Sequence, residues 1–219
     1  MFKSHRADAY FPTYVWRFEL EDAEAKAMNT AMIAELEKLT KTTPDLSEGE
    51  KWQTDQDLHL KDEFSDLVTY INHGTELVLD FLSVIYNSYS ITGCWANISA
   101  VNARHMTHTH PNNFLSGVYY VETGPGSDTI TIDDPRPQCS VIRPDVKQSN
   151  VENAHQMRLK VGPGIMVFFS SWLPHSVDYN TSSGRRISIS FNVMFNDFAD
   201  TMSKPQWQGN IKTTARKGI

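Results

Sequence analysis

The chain has 219 residues, 40% of them hydrophobic and 21% charged, with a formal net charge of −6. That is enough apolar content for one sizeable core, and the acidic balance excludes the basic footprint that nucleic-acid binding requires. "FKSHRADAYF" after Met1 lacks the apolar centre of a signal peptide, and Cys94 and Cys139 form no CxxC pair, so a reducing, cytoplasmic home without membrane contact is expected.

From Asp22 to about Thr40, Ala25, Met28, Met32, Ile33, Leu36 and Leu39 recur at helical spacing, which predicts a helix capped by Asp22. "TKTTPDLSEGEKWQTD" (40–55) reads as a loop, with Pro44 and Gly49 as breakers. A second helical pattern begins near Asp62 and carries Phe64, Leu67, Ile71, Val78 and Leu82 as far as Ile85, with Gly74 expected to interrupt it. Beyond residue 90 the texture changes to short β-rich segments: 94–101, 115–122, 128–132, 156–161, 164–169, 175–179 and 185–195. Turn residues separate them at "GPGS", "VGPG" and "NTSSGR". Helices followed by many short strands predict an α+β, mainly β chain: an antiparallel sandwich or barrel braced by helices. The expected organisation is a single domain over 1–219. Residues 1–90 supply an N-terminal strand and supporting helices, 91–196 the β core, and 197–219 a polar tail.

The chemistry gathers in "RHMTHTHPNN" (104–113). In an extended chain residues i and i+2 share a face, so His108 and His110 can aim at one ion. A site with an open position needs three protein ligands, and His175, after the apolar "GIMVFF" run, is the candidate third. An HxH pair alone is a weak signal, since a surface accident produces it as readily; the third histidine in the β-rich half strengthens it. Arg185 and Arg186 open the last strand. Alternation in "RRISISFNV" puts Arg186, Ser188, Ser190 and Asn192 on one polar face, suited to a cavity where a guanidinium grips a carboxylate. Arg185, Ile187, Ile189, Phe191 and Val193 take the other face, suited to packing. Trp52, Trp95, Trp172 and Trp207 read as core or edge packing.

"HTHPNNFLSGVYYVETGPGSDTITIDDPRP", "VGPGIMVFFSSWLPHSVDYN" and "RRISISFNV" resemble the 2-oxoglutarate/Fe(II) oxygenases of bacteria and marine phages, related to the prolyl 4-hydroxylase-like dioxygenases. The resemblance spans roughly residues 95–195. It implies a double-stranded β-helix (jelly-roll) core that uses Fe(II), 2-oxoglutarate and O2 to hydroxylate a C–H bond, with release of succinate and CO2. Carried over, it makes His108 and His175 metal ligands and Arg186 the anchor of the distal carboxylate of 2-oxoglutarate. Tyr120 resembles the tyrosine that helps to hold the cosubstrate, and Asn97 and Asn192 line the same cavity. One departure stands out: the usual ligand set is two histidines and a carboxylate, and here the carboxylate position is His110. Either His110 completes a three-histidine set, or Asp133 or Asp134 in "IDDPRP" supplies the anionic ligand. Arg136 in that segment binds substrate or pairs with those aspartates.

Two alternatives stay open at this point. One is a cupin-like metal enzyme that does not use 2-oxoglutarate; the other is a structural jelly-roll protein without chemistry. The partner is a peptide or small-molecule substrate, not nucleic acid, and analogy with other jelly rolls allows a homodimer. A phage-encoded chain would work in the host cytoplasm.

Overall fold

The computed structural model describes residues 1–41 and 45–199; Pro44, Trp207 and nearly all of the polar tail lie outside the described residues. The β-rich half folds into eight strands: β3 (Tyr89–Ser99), β4 (His105–His108), β5 (Leu115–Glu122), β6 (Thr129–Asp133), β7 (Gln156–Lys160), β8 (Ile165–Ser170), β9 (His175–Val177) and β10 (Arg186–Phe195). Two more come from the first half: β1 (Val15–Glu19) and β2 (Lys51–Gln53). All pair antiparallel in two sheets, of order β1-β8-β5-β10-β3-β2 and β4-β9-β6-β7. Mainly β, with few helices, this is the jelly-roll architecture that the sequence predicts.

The helices cover one face of the large sheet. Helix α1 (Asp22–Thr40) presents Met28, Met32 and Leu36, and α2 (Ser65–Phe81) presents Leu67, Ile71, Val78 and Leu79. Against them stand Ile187, Ile189, Phe191 and Val193 of β10, Tyr119 of β5 and Phe168 of β8. The opposite face of the same strands sends Val118, Tyr120, Val167 and Phe169 toward the small sheet, where Ile130 and Ile132 meet them. Because both faces of β5 are covered, every residue from Leu115 to Val121 is buried, the near-continuous apolar texture of a central strand.

Four local expectations are corrected. The cap of α1 is Glu21, with no side-chain cap hydrogen bond, so Asp22 lies inside the helix and helps it only as a negative charge in the first turn. Gly74 does not interrupt α2: a Cβ there would stand 2.7 Å from the Phe168 ring, so glycine lets helix and sheet approach closely. The helix stops at Phe81 rather than Ile85, with Ser83 in the left-handed region at φ 53°. Loop 40–55 contains β2, which three residues cannot announce by periodicity; it forms by pairing Lys51 with Ser99 and Gln53 with Asn97 on β3. Among the described residues no helix is long and apolar enough to cross a membrane.

Candidate metal centre

His108 closes β4 and His175 opens β9, and the register makes them direct cross-strand partners. His110 lies two residues past the strand, where its backbone N–H donates to Ser171 O at 2.9 Å. Its Nε2 stands 3.3 Å from Nε2 of His175. The three imidazoles each offer one nitrogen to a common point, all within 4.8 Å of one another. Two nitrogens bound ~2.1 Å from one ion at a right angle stand about 3.0 Å apart, so the 3.3 Å between His110 and His175 suits a shared cation.

Hydrogen bonds assign the tautomers. His108 Nδ1 lies 2.7 Å from Met106 O, and His175 Nδ1 lies 2.9 Å from Leu173 O. A carbonyl only accepts, so both Nδ1 atoms carry the proton and both Nε2 atoms expose a lone pair, as metal ligation demands. Burial disfavours the imidazolium form. It lowers the pKa of His110 to about 3 and that of His175 to about 4, and lowers His108 as well. At neutral pH the cluster is a set of uncharged donors.

No carboxylate joins the cluster among the described residues. Asp133 accepts from Gln156 Nε2 at 2.6 Å and from Thr107 Oγ1 at 3.2 Å. Asp134 pairs with Arg136 at 2.6 Å.

The other end of the site is Arg186, at the start of β10 and 3% exposed. Its Nε has no hydrogen-bond partner and no carboxylate pairs with it among the described residues. The ring of Tyr120 lies 5.2 Å from the guanidinium, and the buried Tyr120 hydroxyl makes no well-formed hydrogen bond, its polar neighbour being Arg186 itself. Burial pushes that hydroxyl up to about 12 and lowers the arginine. A buried cation and a buried hydroxyl left unsatisfied are costly, and a carboxylate placed between them would satisfy both. Arg185, by contrast, turns outward to Glu122 at 3.1 Å and Glu37 at 3.3 Å.

A cavity of about 200 Å³ joins the histidines to Arg186. Asn97, Ser188 and Ser190 line it from the large sheet. Asn97 accepts from Gln53 Nε2 at 2.5 Å and donates to Ser190 Oγ at 3.0 Å. Asn192 and Tyr120 do not line it: the Asn192 amide oxygen accepts from Ser116 at 2.7 Å, and Tyr120 is fully buried beside Arg186. Three lining residues escaped the sequence reading. Trp95 sits with its ring 5.9 Å from that of His110, and Gln53 belongs to the unforeseen β2. His105, three residues before His108, should face away from it in a regular strand. A bulge between the two turns it into the cavity.

Two facing antiparallel sheets with a donor cluster between them and a buried cation at the strand end define a metal-dependent jelly-roll enzyme. Residues 93–192 match the family described as "Putative 2OG-Fe(II) oxygenase". That match spans β4 and β9, which carry the histidines, and most of β10, and the enzyme it indicates is a 2-oxoglutarate- and Fe(II)-dependent oxygenase, an oxidoreductase. The fold is similar to HygX from Streptomyces hygroscopicus with nickel and 2-oxoglutarate bound, at TM-score 0.56 and 12% identity over 84% of this chain and 83% of that one. It is also similar to a Pseudomonas putida prolyl-4-hydroxylase, at TM-score 0.58 and 12% identity over 84% and 93%. The carbocyclase SnoK of nogalamycin biosynthesis matches at TM-score 0.60 and 15% identity over 84% and 80%. No curated protein matches by sequence.

Proposed function

We propose that His108, His110 and His175 hold the iron as a three-histidine set, and that Arg186 and Tyr120 hold the far carboxylate of 2-oxoglutarate. The observation that carries this reading is the unsatisfied buried Nε of Arg186, which ends the same cavity that the imidazoles begin, with Tyr120 packed against the guanidinium. When bound, the iron with 2-oxoglutarate and O2 supplies oxidation of a substrate C–H bond, with release of succinate and CO2.

The protein's own residues do the rest. Met106 O and Leu173 O fix the tautomers of His108 and His175 and keep their Nε2 lone pairs aimed inward. Arg186 gives a dicarboxylate its direction, because its guanidinium is the buried cation at the closed end. Tyr120 adds a hydroxyl donor beside it. Val118, Ile130 and Val177 form the apolar part of the wall and limit water near the reacting centre. The bonds of Asn97 to Gln53 and Ser190 keep the polar wall rigid.

Anaerobic reconstitution with Fe(II) tests the reading. One iron per chain and a weak visible charge-transfer band on adding 2-oxoglutarate are the expected result. Stoichiometric iron without a band would leave a metal enzyme that ignores 2-oxoglutarate, and absence of iron would end the three-histidine proposal.

A further inference from the structure

The cavity carries more positive charge than its cofactors cancel, and the excess has a place. This argument rests on the reading above. Fe(II) and Arg186 together bring three positive charges, and 2-oxoglutarate brings two negative ones. A carboxylate ligand would make the set neutral; with three uncharged imidazoles it is left one unit positive, and an uncompensated charge in a low-dielectric cavity is unfavourable. Asp133, the carboxylate whose charge reaches His175, is already engaged by Thr107 and Gln156.

A second cation shares the cavity-facing side of the sheet. Lys51 lies on edge strand β2, in one cross-strand row with Ser99 and Arg186. Two residues on, Gln53 shares its face and lines the cavity. The charge of Lys51 reaches His105 and His108. Although the residue is exposed as a whole, burial lowers the pKa of its ammonium, and no ion pair among the described residues offsets that. Opposite it, His105 turns its ring into the cavity, 5.2 Å from that of His108, with no hydrogen bond to a described residue. A neutral imidazole there offers one donor and one acceptor.

We propose that Lys51 and His105 form a carboxylate-recognition site at the cavity mouth, and that the substrate is a small organic acid whose carboxylate seats between them while its reacting carbon points toward the histidine cluster. Gln53 and Trp95 line the cavity on the way to the histidines, and the negative charge of such a molecule offsets one of the two positive charges left, that of Lys51 and that of the iron set without a carboxylate ligand.

The experiment uses the anaerobic Fe(II)·2-oxoglutarate enzyme. It is titrated with the twenty free amino acids and with two- to six-carbon mono- and dicarboxylic acids, each beside its methyl ester. The readouts are displacement of the charge-transfer band and rise of Tm, neither of which needs turnover. At least one acid should shift both, with its ester binding at least tenfold more weakly. Lys51→Met should weaken that acid at least tenfold, leave iron stoichiometry and 2-oxoglutarate affinity within twofold, and be largely rescued by Lys51→Arg. Esters that bind as well as acids, a Lys51→Met variant that binds unchanged, or silence across the whole panel would each overturn the proposal. If the enzyme takes up no iron or shows no band before any acid is added, the three-histidine reading has failed and the substrate proposal falls with it.

Discussion

The two faces of the large sheet are built for opposite purposes. The helix-covered face is filled: Phe168 packs edge-on against Phe18 and Phe191 at centroid distances of 5.5 and 4.9 Å, and Gly74 brings α2 down onto it. Its buried Tyr119 hydroxyl is satisfied, donating to Asn29 at 2.8 Å. The inner face uses the alternate residues of the same strands, yet it leaves a cavity of about 200 Å³ and a buried guanidinium with no carboxylate partner among the described residues. Stability is concentrated on one side of a single sheet, and the capacity to bind on the other, so substitutions one residue apart along β10 or β5 should have different kinds of effect.

The largest contrast comes from the filled face. Phe168→Ala should destabilise the protein by about 3–5 kcal/mol, since a fully buried ring leaves a cavity behind it. Chemical denaturation should show it, while iron and 2-oxoglutarate affinities of the folded fraction stay unchanged. A loss of affinity without a loss of stability would erase the distinction between faces. On the other side, His110→Ala should cost iron affinity by about 100-fold or more, roughly 3 kcal/mol, with little change in the stability of the metal-free protein. If iron binds as well without His110, a carboxylate such as Asp133 has taken its place.

Arg186→Met sharpens the comparison further. Removing a buried, unpaired cation should leave the metal-free protein as stable or up to about 1 kcal/mol more stable. Affinity for 2-oxoglutarate should fall by about 30-fold or more in an anaerobic titration. A severe fall in Tm would mean that the guanidinium holds the sheet together. The smallest effect is expected of Tyr120→Phe: about tenfold weaker 2-oxoglutarate binding, the value of one hydrogen bond to a charged group, with Tm nearly unchanged because the lost hydroxyl makes no well-formed hydrogen bond in the protein.

How far the sequence could be read follows from the range of the interactions. The 115–122 strand is legible to the residue, and the 22–40 helix to within one residue at its cap, because their patterns are long and local. Arg186 separates from Arg185 for the same reason: alternation in β10 decides it, and the ion pairs of Arg185 with Glu37 and Glu122 agree. What stays hidden is made by pairing. β2 exists only because β3 is beside it, and the chain gives no local cue for it. His105 reaches the cavity through a bulge, and a bulge breaks the period on which face assignments rest. Gly74 reads as a helix breaker from its propensity, and only the ring of Phe168 reveals why glycine stands there. Asn192 shares the polar face of β10 but lies too far along it, bonded to Ser116 instead of facing the cavity.

The shortness of two strands has a consequence for how this protein assembles. β4 has four residues and β9 three, too few for main-chain pairing to hold alone. Yet the side chains they present, His108 and His175, sit opposite each other, and His110 meets His175 across a chain separation of 65 residues. An ion gripped there closes a long loop, and its binding free energy becomes free energy of ordering the small sheet. Metal loading at the three histidines would then order the small sheet as well as supply the chemistry. In the metal-starved chain, amide hydrogen exchange around the histidines should be faster than in the loaded one.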